Sequence, residues 1–104
     1  MSDKLPIECR QGWYKLINKC HQELLQIDPN YKPIQIKEKF GTLRYYFDAS
    51  IKDLDVVHQM YEIVLSYEEA SAVTCEECGN YGTLTKIHGW YKTLCIDHQG
   101  TYND

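Results

Sequence analysis

Four residues in the last third of the chain have the types and the spacing of metal ligands. They form the pattern C-x2-C-x16-C-x2-H and are Cys75, Cys78, Cys95 and His98. Thiolate and imidazole donors in two such pairs suit a tetrahedral Zn²⁺ ion. A catalytic zinc ion uses three protein ligands and keeps one position open, so four ligands favour a structural ion. We therefore predict structural Zn²⁺ as the cofactor.

His88 is the alternative fourth ligand. Segments 83–87 and 90–94 have the pattern of two short strands, and His88-Gly89 is expected to form the turn between them. Because His88 occupies this turn, His98 is favoured as the ligand, at the start of a short final helix. The pattern predicts a zinc-ribbon or treble-clef-like module in which Trp90 covers the metal as an aromatic lid.

A second set of candidate binding residues lies on segment 33–48. Apolar and polar residues alternate on both sides of Gly41, which predicts a β-hairpin with a type II′ turn at Gly41-Thr42. Rigid strands hold cations together before an anion arrives, and tyrosine rings can stack on a base. The expected ligand is a nucleotide-like anion, and its candidate binding residues are Lys37, Lys39, Arg44, Tyr46 and Tyr45. The alternative is a solvated face whose lysines protect a sheet edge.

The elements around this hairpin indicate an α+β fold. With Phe40 opposite Leu43, the apolar face of the hairpin collects Ile34, Ile36, Phe40, Leu43, Tyr45 and Phe47. Apolar residues at helical spacing predict an amphipathic helix from Gln11 to Ile27. A second helix is expected to follow an N-cap at Ser50 and to end near Ala72. Residues 1–10 are expected to be irregular.

Short connections join these elements, so we expect two helices packed on a small antiparallel sheet. The predicted hairpin-helix domain covers residues 1–72, and the zinc-binding module over 73–104 packs on it as part of one unit.

Composition restricts the function classes. The chain of 104 residues has 11 Lys and Arg against 15 Asp and Glu, a net charge of −4, so a bound anion requires a local basic patch. The sequence has neither a secretory signal nor a run of 18 apolar residues, which favours a cytoplasmic protein that does not enter membranes. Because no catalytic triad, P-loop or paired carboxylates are recognisable, we expect a protein that is not an enzyme.

Two segments carry a resemblance to a known family. KEKFGTLRYYF (37–47) and CEECGNYGTLTKIHGWYKTLCIDH (75–98), preceded by GWY at 12–14, resemble small, largely uncharacterised proteins encoded by phages and prophages. The resemblance extends from the first helix to His98 and implies a viral accessory protein in a bacterial cytoplasm.

In this context the sequence favours a counter-defence protein that sequesters a nucleotide-derived signalling molecule, with a homo-oligomer enclosing it. The alternative is a zinc-ribbon adaptor that binds nucleic acid or a host protein, supported by Lys86 and Lys92 on the zinc hairpin.

Overall fold

Two helices and a three-stranded sheet form the first part of the structure, and a second hairpin with a short helix forms the rest. The computed structural model describes residues 5–102, with side chains up to residue 99. The ends of the predicted ranges, 1–4 and 103–104, lie outside the described residues. The α+β fold class is confirmed. In chain order the elements are β1 (Ile7–Glu8), α1 (Tyr14–Ile27), β2 (Lys32–Lys39), β3 (Thr42–Asp48), α2 (Leu54–Ser71), β4 (Thr83–Ile87), β5 (Trp90–Leu94) and α3 (Ile96–Tyr102).

The main core lies between the helices and one face of the sheet. A single 3-10 turn, Gln11–Trp13, leads into α1, so the predicted first helix is confirmed. Its apolar stripe is buried against α2 and the sheet, as the helical spacing requires. The buried core residues are Trp13, Ile17, Cys20, Leu24, Tyr31, Ile36, Leu43, Tyr45, Phe47, Met60 and Val64.

The turn of the β2–β3 hairpin lies one residue earlier than the sequence predicts. Lys39 pairs with Thr42, so Phe40 and Gly41 form the turn. Their φ angles are 54° and 87°, which is type I′ geometry, and the predicted type II′ turn is wrong. The type I′ turn matches the twist of the strands, and Gly41 N donates a 2.7 Å hydrogen bond to the Glu38 carboxylate. Strand pairing therefore shifts by two residues, which keeps the paired residues 35–39 and 43–48 on their predicted faces.

Two residues of the predicted apolar face are not in the core. Phe40 lies in the turn and is 65% exposed. Ile34 lies where the register shifts between Pro33 and Gln35, and it is also exposed. A bulge leaves one residue without an opposite partner, so the alternation of faces stops there.

The N-cap of α2 is Asp53, and the predicted cap at Ser50 is wrong. The Asp53 carboxylate accepts hydrogen bonds from the backbone N–H groups of Asp55 and Val56 at 2.9 and 3.4 Å. Ser50 instead donates its backbone N–H to buried Asp28 at 2.6 Å, and its hydroxyl also bonds that carboxylate. Asp28 thus ties the end of α1 to the β3–α2 connection. The C-cap of α2 is Ala72, as expected.

The lead-in contains a short strand that the sequence pattern does not predict. Residues Ile7–Glu8 pair with β2 in parallel, with Ile7 beside Ile36, and give the sheet order β1-β2-β3. A two-residue strand is too short to show alternation, so sequence periodicity cannot reveal it. Strands β4 and β5 form a separate hairpin over the predicted residues. No helix within residues 5–102 is long and apolar enough to cross a bilayer.

Candidate metal centre and basic sheet face

The first pair of cysteines lies in a tight backbone knuckle. Gly79 N donates to Cys75 O at 2.9 Å, and Cys75 N donates to Asn80 O at 2.7 Å. Gly79 has φ 85°, a left-handed conformation that glycine adopts without steric cost. The knuckle therefore reverses the chain directly after Cys78 and brings the two sulfur atoms to one point.

The second pair is positioned by the end of β5 and the first turn of α3. The backbone N–H groups of His98 and Gln99 both donate to Cys95 O, at 3.1 and 2.9 Å. This turn brings His98 Nδ1 to 3.1 Å from Cys95 Sγ. The hydrogen bond to His98 lowers the pKa of Cys95 to about 6, so this sulfur is readily available as a thiolate ligand.

The four predicted ligands meet at one point. Their donor atoms all lie within 4.8 Å of one another. The distances Cys78 Sγ to Cys95 Sγ and Cys75 Sγ to His98 Nδ1 are both 3.7 Å. Two sulfur atoms bound tetrahedrally to one Zn²⁺ lie about 3.8 Å apart, given Zn–S bonds of about 2.3 Å. The donor set and its spacing therefore fit a four-coordinate metal ion.

Two other residues of the module have different positions. His88 lies in the β4–β5 turn with φ 51° and is not part of the ligand cluster. Trp90 pairs with Ile87 at the tip of the hairpin, and 73% of its surface is exposed. The predicted role of Trp90 as a lid is wrong, because the hairpin extends its tip away from Cys95.

The start of the first helix packs directly on the backbone knuckle that contains Cys75 and Cys78. Gly12 N donates to Glu76 O at 2.7 Å, and Trp13 Nε1 donates to Thr74 O at 2.8 Å. A Cβ atom on Gly12 would lie only 2.2 Å from Cys75 O. Only glycine permits this contact. Sequence reasoning missed this role because GWY carries no signal for its distant partner.

The β2–β3 hairpin also contacts the part of the chain that contains the candidate metal centre. Thr93 Oγ1 donates a buried 2.7 Å hydrogen bond to Gly41 O. A Cβ atom on Gly41 would lie 2.5 Å from Leu84 Cδ1 and 3.1 Å from the Tyr91 carbonyl carbon. The two hairpins therefore meet closely at the turn of the first one.

The face of the sheet opposite the helices carries the predicted cations. Ile36 and Leu43 point into the core, so their strand neighbours point the other way. We call this surface the basic face and define it by Lys37, Lys39, Arg44 and Tyr46.

Two cations of the basic face lie directly opposite each other. Lys37 is the cross-strand partner of Arg44, and like charges in this position destabilise a sheet. Within residues 5–99, the Arg10 guanidinium lies 3.7 Å from the Glu77 carboxylate and His58 Nε2 lies 3.3 Å from the Glu62 carboxylate. Neither contact includes a cation of this face. Arg44 Nε is buried and has no hydrogen-bond partner. Glu8 is the neighbour of Lys37 on β1, and its carboxylate accepts a 3.0 Å hydrogen bond from Gln35 Nε2 on the same face. The basic face therefore has one acidic residue at its β1 edge.

Tyr45 does not belong to the basic face, and its predicted ligand-binding role is not supported by its position. It is 3% exposed on the core face, and its hydroxyl lies 2.6 Å from that of Tyr31. The Tyr31 hydroxyl in turn lies 2.5 Å from Nδ1 of buried His21. Burial raises the pKa of Tyr45 above its ordinary value and that of Tyr31 to about 12. These residues form a buried polar chain within the core.

Comparison with protein-family models, curated proteins and solved structures gives no match to this chain. The resemblance to phage-encoded proteins therefore stays a prediction. The metal-ligand cluster and the basic face are the features from which function can be inferred.

Proposed function

We propose that this chain is a non-enzymatic binding protein that sequesters an anionic, nucleotide-derived molecule on its basic face. The observation that carries this proposal is the pair of opposed cations Lys37 and Arg44. Among residues 5–99 neither is within ion-pair distance of a carboxylate, and Arg44 Nε has no hydrogen-bond partner. Such a pair costs stability in the free protein. A bound phosphate offsets this cost because it attracts both side chains.

The residue types of the basic face suit phosphate in complementary ways. The guanidinium of Arg44 can donate two parallel hydrogen bonds to phosphate oxygens, and Lys37 and Lys39 act as compact point charges. Tyr46 lies next to them on the same face and is partly exposed, so its ring can stack on a planar group. The strands hold these groups in place before the ligand binds.

The proposed role of the metal is structural, and the proposed ion is Zn²⁺. Three thiolates and one imidazole nitrogen are typical of a closed zinc site. Among residues 5–99, the buried apolar cluster around the site consists of Cys75, Ile87, Leu94 and Cys95. Two of these four residues are themselves ligands, so little hydrophobic burial remains to stabilise this part of the chain. Metal binding then supplies most of its folding free energy.

The proposed setting is the cytoplasm of a bacterial host, where a phage protein would remove a defence signal by binding it. The resemblance of segments 37–47 and 75–98 to phage-encoded proteins supports this setting. Self-association is supported by an exposed apolar stripe on α2, formed by Leu54, Tyr61 and Leu65. A homo-oligomer could enclose the ligand between copies of the chain.

A second candidate function is that of a zinc-ribbon adaptor for nucleic acid or a host protein. It is favoured by the exposed apolar residues Leu84, Trp90 and Tyr91 on the β4–β5 hairpin, beside Lys86. Salt distinguishes a nucleic-acid adaptor from a small-ligand binder. Affinity for an oligonucleotide falls steeply and log-linearly with added salt, whereas a ligand with few phosphate contacts shows a weaker dependence.

Calorimetric titration of the zinc-loaded protein with pyrophosphate and nucleoside diphosphates tests the proposed function. The triple variant Lys37→Ala, Lys39→Ala, Arg44→Ala should bind at least about 100-fold more weakly, because charge-assisted hydrogen bonds contribute about 1.5–3 kcal/mol each. A matched variant changes the exposed residues Lys15, Lys19 and Lys52 to alanine. It alters net charge equally and should bind normally. Undiminished binding by a folded triple variant would refute the proposal.

A further inference from the structure

A cleft lies between the turns of the two hairpins, next to the basic face. Its volume is ≈ 360 Å³, and it is lined by Glu38, Lys39, Phe40, Gly89, Trp90 and Tyr91. Small-molecule sites have volumes of about 300–1,000 Å³. The cleft is therefore large enough for one planar ring system, with the remainder of a ligand extending outside it.

Two large aromatic side chains line this cleft while remaining mostly open to solvent. Phe40 is 65% exposed and Trp90 is 73% exposed. Neither side chain contributes to the main core or to the apolar cluster at the metal site. Aromatic rings left at the mouth of a cleft provide flat apolar surface that a planar ligand can cover.

The backbone at Phe40 gives independent support for a role of its side chain. Its φ is 54°, a conformation that is unfavourable for a bulky residue. The first central position of a type I′ turn prefers Asn, Asp or Gly. Non-glycine residues held in this conformation cluster at active sites and ligand clamps. The phenylalanine at this position therefore has a conformational cost that the turn alone does not explain.

Lys39 connects the cleft to the basic face. It lines the cleft, with its Nζ 5.6 Å from the centre of the Phe40 ring, and it lies on the same strand face as Lys37. Residues two apart on a strand are separated by about 6.6 Å. A ligand with a ring in the cleft could therefore place an attached phosphate over Lys37 and Arg44.

We infer that the cleft binds the base of the nucleotide-like ligand, stacked against Phe40 and Trp90, while Lys37 and Arg44 hold its phosphate. This inference rests on the proposed function and adds the base as a recognised part of the ligand. Stacking needs only a π-face and tolerates different bases. The site therefore selects for a base joined to a phosphate more strongly than for one particular base.

Calorimetry with pyrophosphate and with the diphosphates of adenosine, guanosine, cytidine and uridine tests this inference on the zinc-loaded full chain. Phe40→Asn removes the ring and introduces a residue that type I′ turns prefer, so the fold should be retained. Phe40→Asn and Trp90→Ala should each weaken binding of the nucleoside diphosphate for which the wild-type chain has the highest affinity. The expected loss is roughly 5- to 100-fold, as for one stacked ring. Pyrophosphate binding should not change.

Tyr81→Ala is the matched control, because Tyr81, which pairs with Thr74 outside the two hairpins, is an aromatic residue as exposed as Trp90 and does not line the cleft. It should leave both affinities unchanged. If Phe40→Asn and Trp90→Ala bind diphosphates normally while the triple cation variant does not, the base site is refuted and the anion-binding function stands. If the wild-type chain binds neither pyrophosphate nor any diphosphate, both are refuted.

Discussion

The two hairpins of this protein have the same turn geometry but different surroundings. Phe40-Gly41 and His88-Gly89 both have two positive φ angles, close to 50° and then to 90°. A Cβ atom on Gly41 would meet the second hairpin at 2.5 Å, whereas one on Gly89 would meet nothing within 4 Å. With the same local conformation, Gly41 packs against the other hairpin, whereas Gly89 lies at the open edge of the cleft.

The means of stabilisation also differ between the two regions. Counted over residues 5–99, the β2–β3 hairpin lies on a core of eleven buried residues, while the cluster around the β4–β5 hairpin has four. Since burial of apolar area drives folding, the first region is supported by its helices. The second region has little buried apolar area of its own, so we expect the proposed metal ion and the contacts with the first region to stabilise it.

Metal removal should separate the two regions most strongly. A chelator, or the variant Cys78→Ser, should unfold β4, β5 and α3, because structural zinc contributes on the order of 10 kcal/mol in small modules. Helices α1 and α2 should keep most of their far-ultraviolet circular dichroism. Two-dimensional NMR would show which amide signals collapse.

Cys9→Ser is the control for this prediction. Burial raises the pKa of the Cys9 thiol to about 12, and Cys9 is outside the ligand cluster, so zinc content should stay the same. If the metal-free chain keeps the amide signals of β4 and β5, the apolar cluster is sufficient to keep that hairpin folded without metal.

Substitution of the two turn glycines should reveal the difference in their packing. Gly89→Ala should cost about 1 kcal/mol from the positive φ alone. Gly41→Ala adds overlap with Leu84 and with the backbone of Tyr91 and Lys92, so it should cost about 2–4 kcal/mol. Denaturant unfolding of the zinc-loaded proteins measures both changes. Equal losses would show that Gly41 is not packed against the second hairpin in solution.

The smallest expected effect concerns the charge pair on the basic face. Lys37→Gln removes the repulsion with Arg44 and should stabilise the ligand-free protein by about 0.2–1 kcal/mol at low salt. Lys39→Gln is the control, since Lys39 lies opposite Thr42 and should give no comparable gain. Thermal melts at low and high salt measure this. A Lys37→Gln variant less stable than the control would show that repulsion between Lys37 and Arg44 does not destabilise the ligand-free protein.

Local sequence patterns predicted the elements that are determined by residues close together in the chain. Ligand spacing identified the metal cluster, and the His88-Gly89 turn fixed the strands of the second hairpin. Alternation also placed Lys37 and Arg44 on one face. It could not fix the register of the first hairpin, because a period of two is unchanged by a shift of two residues.

Features that depend on distant partners could not be predicted. Ser50 has a helix-capping sequence, but Asp28 competes for it from the end of another helix. Trp90 is an aromatic residue of the type that can cover a metal site, but the direction of the hairpin takes it away from the four candidate ligands. The contact of Gly12 with Cys75 is equally invisible, because glycine has no side chain from which a partner could be inferred.

Residues 10–13 pack on the backbone knuckle that contains Cys75 and Cys78, and this contact affects the order of folding. The hydrogen bond from Trp13 to Thr74 spans 61 positions, and that from Arg10 N–H to the Glu76 carboxylate spans 66. Such long closures cost entropy and form slowly. Their acceptors reach their final places only when the knuckle is formed. The amides of Arg10 and Gly12 should therefore be the last to gain protection from hydrogen exchange during refolding, and zinc supply should set when they do.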